Sequence, residues 1–469
     1  MSRLVVVSNR VALPREVRAG GLAVAMDAAL RETGGLWFGW SGRAVDGEPG
    51  PVEIQTDGPV TYATVDLAKG DYDAYYNGFA NRTLWPLLHY RPDLVDYRRD
   101  TYRAYQRVNR SFAKSLAPLL RDDDLVWVHD YHLIPLAAVL REEGVKARLG
   151  FFLHTPLPTP DLVSVLPGHR ALMDALTEYD LVGFHTAGYR QAFTDYLRDF
   201  ADARLVDEGI AITSSGHRVK TTVLPIGIDT DGIASLAAKA SSQPSVRRLA
   251  ESLQGRWLVV GVDRLDYSKG LAERFRAFGR LLERYPEHRR DVSMLQVATA
   301  TRGEVPEYRA IRAELERYSG AVNGRFAEAD WVPLRYVNRT YPHTTLTGFY
   351  RIAQIGLVTP LRDGMNLVAK EYVAAQDAEG PGVLILSTFA GAAKELTSAL
   401  IVNPYDVEGV ADALHRAVTM PLKERKRRWS DMMQVLHDWT IDDWRTTFVE
   451  TLAATRQQTR RRSPRSQAL

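Results

Sequence analysis

The chain has 469 residues, 45% of them apolar and 25% charged, with a formal net charge of +3 and no cysteine. That length exceeds what one hydrophobic core serves, so two domains are predicted, with the composition of an ordinary soluble globular protein. The missing cysteines exclude disulfides, thiolate zinc sites and a cysteine nucleophile.

The longest apolar stretch, around Leu133 to Leu140, contains a proline and is too short to span a membrane, and Leu4 to Val7 ends at Ser8-Asn9-Arg10 rather than extending into a signal peptide. A cytoplasmic protein with no membrane partner is expected. Arg456, Arg460, Arg461, Arg462 and Arg465 fall among Gln, Thr, Ser and Pro, and residues 454–469 read as a disordered basic tail. The body is near neutral and has no basic face readable from sequence, so nucleic acid is not an expected partner.

Leu4 to Ser8 reads as a strand; Gly20-Gly21 then opens a helical pattern over Leu22 to Leu30. Residues 35–110 are rich in Trp and Tyr, including Trp37, Trp40, Tyr72, Tyr76 and Trp85, types that stack on sugars as well as fill cores. Strands and helices alternate from Leu125: strand to Val128, helix Leu133 to Glu143, strand Leu149 to Leu153, helix Ala171 to Thr177, strand Leu181 to Phe184. A second series follows Leu224-Pro225-Ile226-Gly227-Ile228. Its strands are Trp257 to Val262, Ser293 to Val297, Ile355 to Val358, Val383 to Leu386 and Leu400 to Val402; its helices are Leu271 to Tyr285 and Tyr308 to Tyr318. Repeated βα units predict an α/β protein of two doubly wound parallel-sheet domains, 1–228 and 229–434, with a cleft lined by the carboxyl ends of both sheets. The last helical pattern, Lys423 to Ala453, is expected to carry 435–453 back onto the first domain.

The stretch from Leu357 to Glu371 reads as strand, turn and helix, with Pro360, Asp363 and Gly364 in the turn and Asn366 at the N-cap. The first amides of that helix, Leu367 and Val368, have no intrahelical acceptor and sit at the positive end of the dipole, which suits a phosphate. Asp363 and Glu371 are placed for ligand hydroxyls. Arg264 and Lys269 share one loop at a strand's carboxyl end, where two cations can neutralise a leaving diphosphate. Arg10 and Arg302 end strands in opposite halves and could clamp a phosphate monoester. Gly20-Gly21 permits close backbone approach to a ligand. Asp130 is placed to accept from sugar hydroxyls, with His154 beside it. His129, Asp130 and His132 lack a third convincing metal ligand. Of three Asp-x-Asp spacings, Asp71/Asp73 and Asp122/Asp124 read as surface charge and Asp229/Asp231 as a hinge, so no metal or other cofactor is expected.

The motifs together resemble the trehalose-6-phosphate synthases, retaining glycosyltransferases of the GT-B fold. They include Val7-Ser8-Asn9-Arg10, Gly20-Gly21-Leu22, Trp37-Phe38-Gly39-Trp40-Ser41-Gly42, Leu84-Trp85-Pro86, His129-Asp130-Tyr131-His132-Leu133, Arg264 to Gly270, and Leu357 to Gln376. The resemblance runs from Met1 to about residue 452. It implies two Rossmann-like domains and transfer of glucose from a nucleotide-glucose to glucose 6-phosphate. Arg10, Tyr76, Trp85, Asp130 and Arg302 would then bind the acceptor. Gly20, Gly21, Arg264, Lys269, Val297 and the segment Asp363, Gly364, Met365, Asn366, Leu367, Val368, Ala369, Lys370 and Glu371 would bind the donor. Arg264, Lys269, Asp130 and His154 would carry the chemistry. Thr155 stands where Ile is usual, Leu157 where Phe is common and Thr299 where Pro is expected. The donor base is therefore UDP by family default, with GDP and ADP open. The competing readings are a transferase using another phosphorylated acceptor, as in glucosylglycerol-phosphate synthases, and a catalytically silent sugar-phosphate sensor. A dimer or tetramer is compatible with the resemblance.

Overall fold

The computed structural model describes residues 2–14, 26, 27, 30–201, 203–207, 209–213, 216–299 and 306–455, without the side chains of 306 and 307. The chain divides into two compact units, residues 1–225 with 442–469, and residues 226–441. Among the described residues no helix is long and apolar enough to cross a membrane.

The first unit is built on a ten-stranded sheet in the order β3-β4-β2-β1-β5-β6-β7-β10-β9-β8. These strands are β1 Leu4–Arg10, β2 Gly35–Val45, β3 Glu53–Asp57, β4 Val60–Ala68, β5 Leu125–His129, β6 Arg148–Leu153, β7 Leu181–Phe184, β8 Arg204–Asp207, β9 Ile210–Ile212 and β10 Arg218–Val223. The stretch β4-β2-β1-β5-β6-β7-β10 is parallel, and β3, β9 and β8 add antiparallel edges. Val5, Val6 and Val7 are fully buried, as a strand covered on both faces requires. From β1 the chain passes to β2 on one side, while β5 lies on the other. The carboxyl ends of β1 and β5 therefore flank a topological switch point, where open α/β sheets leave a crevice for ligand.

Helix Ile441–Ala453 closes one face of this sheet. Trp127 stacks on Phe448 at 4.3 Å and lies 4.8 Å from Trp444. Gly150 and Gly183 make room: a Cβ on either would sit 2.8 or 3.0 Å from the Phe448 ring. Burial of each such aromatic contributes about 1.5–3 kcal/mol. The predicted continuous helix Lys423 to Ala453 is in fact two, Leu422–Asp438 and Ile441–Ala453, because Trp439 leaves the helical region at φ −147°. Similarly, the predicted helix over Leu133 to Glu143 starts at Leu136, after a single 3-10 turn over Tyr131–Leu133 and the residue Pro135. Proline has no N–H to give a preceding turn.

The second unit holds six parallel strands in the order β13-β12-β11-β14-β15-β16. They are β11 Trp257–Arg264, β12 Val292–Thr299, β13 Leu334–Val337, β14 Ile355–Val358, β15 Val383–Ser387 and β16 Leu400–Val402. This is the doubly wound nucleotide-binding order, and its switch point falls between β11 and β14. The core packs Phe275, Phe278, Leu281 and Leu282 of helix Leu271–Arg284 on Val259, Met294, Ile355 and Ile385 of the sheet.

Candidate functional site

In the second unit, the loops leaving β11 and β14 carry the residues that the sequence marks. Lys269 Nζ lies 2.5 Å from Asp363 Oδ2, and Asn366 Nδ2 donates to the same oxygen at 3.0 Å. Asp363 is thus held by two donors, with side-chain exposure of only 14%. Asn366 takes a left-handed conformation, φ +76°, and its Oδ1 caps the Ala369 N–H at 3.2 Å. Asn tolerates that region because its side chain bonds locally. Among the described residues, the amides of Gly364, Met365, Leu367 and Val368 reach no backbone acceptor. They precede or open helix Leu367–Ala375, whose positive dipole end is the electrostatic ground for an anion.

Other members of that helix are already engaged. Lys370 is buried, donating to Ile226 O at 2.7 Å and pairing with Glu395 at 2.9 Å, while burial pushes its ammonium below the ordinary lysine range. Ala369 is fully buried. Both fix the helix start from beneath. Glu371 faces His343 Nε2 at 3.5 Å, and that contact raises the histidine's pKa above its ordinary value. Val297, expected near the base, is a buried residue within β12.

The two loops are tied together by Arg274, which no sequence signal singled out on an ordinary charged helix. It is fully buried, donating to Asp263 Oδ2 at 2.6 Å, Gln296 Oε1 at 2.7 Å and Thr359 Oγ1 at 3.1 Å. Gly261 admits it, since a Cβ there would lie 2.7 Å from Arg274 Nη1. Burial raises the Asp263 pKa, and Arg274 opposes that shift. Gly270, at φ +63°, approaches Thr359 so closely that a Cβ would sit 2.3 Å from its carbonyl oxygen. Arg264 ends β11 with an exposed side chain.

In the first unit, Arg10 ends β1 and its guanidinium lies against Gly42, where a Cβ would be 2.9 Å from Nε. Trp40, opposite Arg10 in the parallel register, has its ring 5.2 Å from Tyr72 and 6.0 Å from Tyr76. Tyr76 stacks on Tyr72 at 5.5 Å and on His132 at 5.7 Å. The tyrosines project from Tyr72–Leu84, a thirteen-residue π-helix. π-Helical turns are rare and concentrate at functional sites; the sequence showed the aromatics but not this winding. Trp85 is buried against His89 at 3.9 Å and Tyr131 at 5.7 Å.

Asp130 follows β5 at φ +74°, a strained conformation for a residue with a Cβ, and its Oδ1 accepts the His154 N–H at 3.2 Å. His154 Nε2 is 3.0 Å from His129 Nδ1. Burial drives the His154 pKa down to about 3, so the ring is neutral at pH 7 and offers hydrogen bonding without charge. Asp130 and His154 are thus joined as expected neighbours, while His132 belongs to the aromatic stack.

The Asp-x-Asp spacings resolve individually. Asp229 caps helix Thr230–Ala240 through the Gly232 N–H, and Asp231 faces His437 at 3.4 Å. Asp71 pairs with Arg107. Asp124 corrects an expectation: it is not surface charge but fully buried, paired with Arg3 at 2.6 Å. Gly20, Gly21 and Arg302 lie outside the described residues, as does most of the predicted helix Leu22 to Leu30.

Comparison with known proteins shows what the whole chain is similar to. The family described as Glycosyltransferase family 20 matches residues 5–454. A trehalose-6-phosphate synthase of Sinorhizobium fredii is 49% identical over 459 residues, covering 97% of this chain and 99% of the relative. A UDP-forming α,α-trehalose-phosphate synthase of Burkholderia xenovorans, solved in complex with glucose-6-phosphate, is 50% identical. That match has a TM-score of 0.93 over 96% of this chain and 100% of the other. An Escherichia coli structure bound with UDP-2-fluoro glucose is 46% identical, with a TM-score of 0.93 over 97% and 100% of the two chains.

Proposed function

Because the chain belongs to glycosyltransferase family 20, we propose that it moves glucose from UDP-glucose to glucose 6-phosphate with retention, giving α,α-trehalose 6-phosphate. The observation that carries this reading is near-complete similarity, at about half identity, to synthases solved with the acceptor and with a donor analogue. The expected GT-B class stands with it, as two parallel-sheet α/β units. The local chemistry is compatible: a nest of amides and a held carboxylate occupy the switch point of the Rossmann-ordered unit.

In this reading the second unit receives the donor. Asp363, positioned by Lys269 and Asn366, accepts from glucose hydroxyls; Gly364, Met365, Leu367 and Val368 present amides to donor oxygens and phosphate; and Glu371 takes the ribose. Arg264 and Lys269 neutralise the diphosphate as it leaves. In the first unit, Arg10, Tyr76 and Trp85 receive glucose 6-phosphate, with Asp130 on its hydroxyls and His154 held beside it. Roles for Gly20, Gly21 and Arg302 rest on their motifs. The acceptor's anomeric oxygen bonds to the donor's anomeric carbon on the face from which the diphosphate departs. The bond from that carbon to the phosphate oxygen breaks, and this oxygen takes the acceptor's proton. No pair of catalytic carboxylates is needed, unlike in a glycosidase. With two cations on the leaving group, the step is proposed to run without a metal.

The test is to supply glucose 6-phosphate with UDP-, GDP- or ADP-glucose, with and without chelator. Trehalose 6-phosphate should form fastest from UDP-glucose and without loss on chelation. No product from any donor rejects the reading.

A further inference from the structure

A cluster away from the transfer site has the chemistry of a metal centre. Glu287 and His288 lie on the 3-10 turn Pro286–His288, and His415 lies on helix Val407–Thr419. His288 Nε2 is 2.8 Å from His415 Nδ1, and Glu287 Oε1 is 3.8 Å from that same nitrogen. All three donor atoms lie within 4.8 Å of one another, the only such group of three among the described residues. The Tyr285 ring stacks on His415 at 4.0 Å with 9° between planes, and its hydroxyl donates to Asp412 at 2.7 Å. His415 is therefore held in one orientation.

We propose that Glu287, His288 and His415 bind a borderline divalent transition ion such as Zn2+. Two imidazoles and one carboxylate favour zinc, nickel or copper over magnesium or calcium. With metal–nitrogen bonds of about 2.0–2.1 Å in a tetrahedron, ligand atoms stand about 3.3–3.4 Å apart. The observed 2.8 and 3.8 Å bracket that spacing. The rings need only part by about half an ångström while the exposed Glu287 changes rotamer. The hydrogen shared between the rings passes to the outer nitrogen of its own ring, leaving both lone pairs on the ion, and solvent takes the fourth position.

The site is remote from the chemistry. It precedes the amino end of β12, whereas Arg264 pairs with Thr299 at the carboxyl end. The strand's length puts about 23 Å between those ends. An ion here would join segments 127 residues apart and stabilise this unit rather than take part in transfer.

The test uses the full, untagged chain, titrated with Zn2+ by calorimetry and with Co2+ by visible absorption. Glu287→Gln and His415→Ala serve as controls, since those side chains are 57% and 32% exposed and their loss leaves the core intact. The wild type should take one ion with a tetrahedral cobalt band and unfold at higher temperature with Zn2+. Each variant should bind at least about tenfold more weakly and lose the thermal shift. Equal binding by wild type and variants, or no binding by wild type at micromolar ion, overturns the proposal.

Discussion

Arg274→Met removes the guanidinium that Asp263 touches at 2.6 Å while leaving most of the apolar stem. Both side chains of this pair are essentially inaccessible, at 0% and 4% exposure. Removing one partner of a buried pair leaves an uncompensated charge, a loss of about 3–5 kcal/mol. Gln296 and Thr359 also lose their donor. The carboxylate has one escape, which is to bind a proton. Burial already raises its pKa in the folded chain, and without Arg274 it must rise further. A carboxyl group with a raised folded pKa binds protons more tightly folded than unfolded. Stability then falls as pH climbs from the unfolded value to the folded one, and levels off above it. The deficit of the variant should thus be largest at neutral pH and shrink near about pH 5. Urea unfolding of both proteins at the two pH values, followed by tryptophan fluorescence, measures it. A deficit below about 1 kcal/mol, or one that does not change with pH, would refute the reasoning.

Three further outcomes follow from the same geometry. Arg264→Ala should lower turnover by about 10²–10³-fold with little change in the KM for glucose 6-phosphate; wild-type turnover would sink its assignment to the leaving group. Gly270→Ala should lower stability by about 2 kcal/mol or more, because its Cβ would lie 2.3 Å from the Thr359 carbonyl at a φ of +63°; an unchanged melting temperature would contradict this. His343 has its pKa raised first by the hydrogen bond to Glu371, so its stabilising contribution is full below the ordinary histidine pKa and fades as pH rises through the raised value. His343→Ala should therefore fall short of wild type at about pH 6 and match it by about pH 9, and a gap equal at both would argue against the pair.

Much of the second unit was legible because its strands are continuous apolar runs broken by turn residues. Ile355–Val358 is the plainest case, and Asn366 shows its capping role from position alone. What escaped was set by packing between distant segments. Arg274 sits on a helix whose other arginines are surface groups, and only the approach of Thr359 and Asp263 makes it a core residue. The strands β2 and β4 hide in an aromatic-rich region because aromatics serve cores and ligand surfaces alike, and the winding of Tyr72–Leu84 has no sequence marker. The break at Trp439 has no glycine or proline to announce it. Asp124 ends a run of acids, and only the packing of Arg3, distant in sequence, makes it a core residue.

The most direct measurement is the structure of the product formed from UDP-glucose and glucose 6-phosphate, read by proton NMR at the anomeric positions. The account predicts UDP release in step with a 1,1-linked disaccharide 6-phosphate carrying two α-anomeric protons. A β linkage, or UDP release without transfer to glucose 6-phosphate, would contradict it.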